Sequence, residues 1–66
     1  MKRTLKEIKE GQTVVFTVVP IGSYLRTGEQ YLAEGVEKRS VYFRNIARNS
    51  GTSDPRYMEA EYEIIG

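Results

Sequence analysis

The sequence predicts a mainly β fold: a small curled antiparallel sheet or barrel of five short strands, SH3-like or OB-like, with a short helical turn near its N-terminal end. Three observations lead there. Stretches rich in β-branched and aromatic residues recur at 12–19, 38–47 and 56–65. Turn-forming glycines and prolines fall between them. The 66 residues make one domain, 1–66, and a sheet that short hides its edges most economically by curling. The runner-up is an open α+β sheet with the helical piece packed on one face.

"TLKEIKEG" (4–11) reads as one or two helical turns. Thr4 and Glu7 have capping-box spacing, in which each side chain can satisfy the other's free backbone N–H. Leu5 and Ile8 share one face and are expected to close an end of the sheet. Gly11 is a natural stop. "QTVVFTVV" (12–19) reads as strand, with Val14, Phe16 and Val18 on one side and Val15, Thr17 and Val19 on the other. Both rows are fairly apolar, which suits a central strand, and Pro20 ends it.

"PIGSYLRTGEQYLAEG" (20–35) contains "YL" twice. A hairpin of Tyr24-Leu25 against Tyr31-Leu32 is expected, turning at Gly28, where a tight turn needs positive φ. "KRSVYFRNIA" (38–47) reads as strand, with a helix as the minority alternative. Val41, Phe43, Asn45 and Ala47 would face the core, and Tyr42, Arg44, Ile46 and Arg48 the other side. "RNSGTSDP" (48–55) is expected to be a loop, because its residues are turn formers. "RYMEAEYEII" (56–65) alternates between an apolar row (Met58, Ala60, Tyr62, Ile64) and an acidic row (Glu59, Glu61, Glu63), the pattern of a half-buried strand.

Composition limits the chemistry. The chain has no Cys and no His, which removes disulfides, thiolate or imidazole zinc ligands and the usual nucleophile–base pairs. No phosphate-cradling glycine loop is present. The three glutamates at period two read as a solvated outer face. No catalytic residue, metal or cofactor is therefore expected, and the chain reads as a non-enzyme. Its N-terminal stretch has no apolar signal region, and its apolar runs are far too short for a membrane helix. A cytoplasmic protein without a membrane partner is expected.

Binding remains. Ten Lys and Arg against nine Asp and Glu give a net charge of +1, so any basic function must come from segregated charge. Single-stranded nucleic acid is held by aromatic platforms beside cations, because every base has a stackable face and every linkage a charge. The first expected contacts are Arg39, Tyr42, Arg44 and Arg48; Tyr24, Arg26 and Tyr31 form a second patch. Against this, pairing of 40–47 with 56–65 would place Glu59, Glu61 or Glu63 across from Arg44 and Arg48 and neutralise them. Register decides the matter, since a slip of one residue reverses every side chain. The alternative function is a small protein–protein interaction module, inhibitor or regulator using the same tyrosines. A homodimer through the glutamate row or an edge strand is also open.

Overall fold

The computed structural model describes every residue, Met1–Gly66. Its strands are β1 (Arg3–Thr4), β2 (Thr13–Val18), β3 (Gln30–Val36), β4 (Ser40–Asn45), β5 (Ser50–Pro55) and β6 (Glu59–Ile64), with a 3-10 turn at Leu5–Glu7. All pairings are antiparallel, and the order across the single sheet is β1-β6-β2-β3-β4-β5. The mainly β expectation holds, with six strands in place of five. Strands β2 to β5 meander, and β6 returns beside β2. Extents of 24 × 23 × 22 Å show a sheet curled round its own core. The end strands, β1 and β5, form no ladder with each other.

The core is where four strands meet. Phe16 of β2 is fully buried, and its ring lies 5.8 Å from Tyr31 of β3, 5.5 Å from Phe43 of β4 and 5.7 Å from Tyr62 of β6. The Tyr31 and Phe43 contacts are edge-on, and aromatic pairs of that kind add about 0.5–1.5 kcal/mol each beyond area burial. Leu5 and Ile8 plug one end of this cluster as expected. The capping box does not form: Thr4 makes no side-chain cap bond. Thr4 is instead committed to β1, and its carbonyl accepts the Tyr62 hydroxyl at 2.7 Å, while Glu7 turns back to Arg3.

Four further expectations are corrected. The Tyr24-Leu25 and Tyr31-Leu32 hairpin is absent, because β3 takes β2 as its partner, with Val14 opposite Tyr31. Residues 19–29 form a long connection, pinned where Gly28 (φ +80°) donates its N–H to the Phe16 carbonyl at 2.8 Å. Leu25 drops from this connection into the core. Residues 50–55 are strand and not loop, paired one-to-one with β4 from Ser40–Pro55 to Asn45–Ser50. An end strand needs only one ladder, so poor intrinsic β-formers are tolerated there. Strands β4 and β6 are not neighbours; β6 lies between β1 and β2. A bulge after Phe16 also turns Val18 outward, breaking the expected Val14-Phe16-Val18 row.

Candidate nucleic-acid interface

Strand β4 presents its faces as the alternation requires as far as Asn45; Ala47, expected to face the core, lies beyond the strand and is exposed. Val41, Phe43 and Asn45 are buried, and Tyr42 and Arg44 point outward. The outward row is not a free cationic surface. Arg44 donates Nε–H to Glu34 of β3 at 3.0 Å and a guanidinium N–H to the Asn49 side chain at 3.1 Å. Arg48 donates Nε–H to Glu29 at 3.0 Å. The Tyr42 hydroxyl reaches Glu37 at 3.3 Å. These cations are answered by carboxylates from β3 and from the connection before it, not by Glu59, Glu61 or Glu63. Tyr31 is 2 % exposed, with its ring in the aromatic core and its hydroxyl accepting the Arg26 N–H at 2.8 Å. It supports the surface from beneath and offers no face for stacking.

Four of the seven unpaired cations gather elsewhere. Among Lys and Arg side chains, only Arg3, Arg44 and Arg48 are in ion pairs. Lys6, Lys38, Arg39 and Arg56 line one recess of about 450 Å³ together with Tyr57. They come from three segments: the 3-10 turn, the β3–β4 turn and the β5–β6 turn. Arg56 ties these together. Its guanidinium donates to the Glu37 carbonyl and the Lys6 carbonyl, each at 3.1 Å, and its backbone N–H donates to the Arg39 carbonyl at 2.8 Å. Carbonyls orient the guanidinium without cancelling its charge, and its buried Nε–H finds no acceptor within the protein.

Two more recesses continue from this one. The middle recess, about 360 Å³, runs along β5 between Tyr57 and Tyr24 and includes Ile21, Asp54 and Pro55. The far recess, about 510 Å³, is lined by Tyr24, Arg26, Tyr31, Asn45 and Arg48 among others. Tyr57 lines both the first and the middle recess, and Tyr24 both the middle and the far one, so the three are neighbours; taken together they are called the track below. Tyr24 is 83 % exposed and Tyr57 74 % exposed. The track thus joins Tyr24, Arg26, Tyr31 and Arg48 of the expected set at one end. Arg39 stands at the other, and Tyr42 and Arg44 lie off it. Sequence reasoning missed Lys6, Lys38, Arg56 and Tyr57 as one cluster. Their signal, basic residues in separate turns, becomes a cluster only through the fold.

Two carboxylates beside this track titrate in opposite senses. Hydrogen bonds from Asn45 Nδ2 (2.7 Å) and Arg48 hold Glu29 below the usual carboxylate range. Its contribution to stability is present above its unfolded pKa and is lost as pH falls through the folded pKa. Glu29→Gln is therefore expected to lower Tm at neutral pH, with the deficit closing in acid. Burial pushes Asp54 up, opposed by hydroxyl bonds from Thr52 (3.4 Å) and Ser23. Its folded form is favoured by protonation, a contribution lost as pH rises through the raised pKa. Asp54→Asn is expected to raise Tm at neutral pH and to leave it unchanged in strong acid. Paired melts across pH check both signs.

No helix is long and apolar enough to cross a membrane. The fold and the track define a small curled-sheet domain with a basic, tyrosine-walled surface. Comparison with protein families, curated proteins and solved structures finds no match for this chain.

Proposed function

We propose that this domain is a non-catalytic binder of single-stranded nucleic acid, using the track beside β5. The observation that carries the reading is the convergence of Lys6, Lys38, Arg39 and Arg56, with no carboxylate paired to them, next to the exposed ring of Tyr57. Tyr57 and Tyr24 stack bases. Arg26 at one end and the cationic recess at the other pair with phosphates. The face first expected on β4 contributes Arg39 alone at the cationic end, since its other cations are already neutralised.

The test is a fluorescence-anisotropy titration of labelled single-stranded DNA and RNA at low and at physiological salt. Binding that weakens steeply with salt is expected, with the slope falling by about 0.7 for each phosphate-pairing cation removed. Absence of binding at low salt overturns the reading. Attention then passes to a protein partner, a second reading favoured by the fully exposed Ile21 beside Tyr24 and by the unpaired edge of β5.

A further inference from the structure

The two ends of the track are chemically unlike. At the Arg26 end, Glu29 sits among the cations and is bonded to Arg48, so positive charge there is partly cancelled. At the other end four cationic side chains line the recess, and none is paired with a carboxylate. An internal phosphodiester carries one negative charge and two free oxygens. A terminal phosphate monoester carries about −1.5 to −2 charges at neutral pH and three acceptor oxygens. Cations converging from three separate turns suit the second geometry better, since donors reach the group from several directions at once.

We infer that the Lys6-Lys38-Arg39-Arg56 recess captures the terminal phosphate of a nucleic-acid strand whose adjoining base stacks on Tyr57. This rests on the single-strand reading and specifies which end chemistry that site selects. Arg56, held by two backbone carbonyls, is the positioning residue; Lys38 and Arg39, exposed on the β3–β4 turn, are the donors to the phosphate.

The experiment compares three oligonucleotides of one sequence carrying a 5′-phosphate, a 3′-phosphate or hydroxyls at both ends, titrated against the full chain at low salt. One of the phosphorylated strands is expected to bind about tenfold tighter than the hydroxyl strand. Whichever it is reports the strand's polarity in the track. The advantage is expected to vanish in Lys38→Ala/Arg39→Ala, while the hydroxyl strand loses less. Lys2→Ala/Lys9→Ala, which removes equal charge outside the recess, is expected to keep the advantage. Equal binding of all three strands overturns the inference and leaves the single-strand reading standing. An advantage that survives in Lys38→Ala/Arg39→Ala overturns the assignment to this recess. Failure of all three strands to bind takes down both. Circular dichroism of each variant confirms that it folds.

Discussion

Phe16→Ala is expected to leave the chain largely unfolded at room temperature. Phe16 is fully buried and touches rings from three other strands, so its loss opens the one place where β2, β3, β4 and β6 all meet. Phe→Ala in a core costs about 3–5 kcal/mol. A domain of this length commands roughly 3–10 kcal/mol in total, at about 0.05–0.15 kcal/mol per residue. Little plasticity is available to refill the void, because the neighbours are aromatic and interlocked. The check is a thermal melt by far-UV circular dichroism with a near-UV spectrum. Loss of a cooperative transition, or a fall in Tm of more than about 15 °C, is the expected result. A melt within a few degrees of the parent would show that the aromatic cluster is not the keystone described above.

Tyr57→Ala is expected to weaken single-strand binding roughly 5- to 150-fold while leaving the salt slope unchanged. That range corresponds to the about 1–3 kcal/mol by which one stacked base is held. Tyr24→Ala should act in the same way at the neighbouring position. Both side chains stand largely in solvent and carry none of the core, so Tm should move little. Arg39→Ala provides the contrast, because it should lower both affinity and slope. Anisotropy titrations at several salt concentrations separate the two behaviours. A tyrosine variant that changes the slope, or one that changes nothing, would count against stacking.

The legible parts of the fold were those where side-chain periodicity reports burial directly. Val41 and Phe43, and Ala60 and Tyr62, were placed on the core side by alternation, and all are buried; Val14 and Phe16 were placed together on one face of β2 and are buried together. Gly28 announced its positive φ. What alternation cannot report is which strand lies next to which. Loop 46–49 joins β4 to β5, a strand made of Ser, Gly, Thr, Asp and Pro that carries almost no β signal of its own. Missing it made β6 the apparent partner of β4. That one error moved the expected counter-charges from Glu34 and Glu29 to the glutamates of β6. The neutralised state of Arg44 and Arg48 was thus anticipated in kind, but with the wrong partners. The candidate site was obscured for the same reason. Lys6, Lys38 and Arg56 are far apart in the chain and meet only because the β3–β4 and β5–β6 turns and the 3-10 turn fall together in the fold.

The position of β6 has a consequence for synthesis. It supplies Ala60 and Tyr62 to the core, forms the far ladder of β2, and is the only partner of β1. Until residues 59–64 have left the ribosome, β2 has one bare edge, and Leu5 and Ile8 lack part of their cover. The meander of β2 to β5 can form beforehand, but sealing waits for pairings between distant parts of the chain, which are the slow kind to make. During that interval the incomplete chain carries an unsatisfied, β-branched strand edge. A chain truncated before residue 59 would therefore be prone to pairing through the bare edge of β2 with other copies of itself.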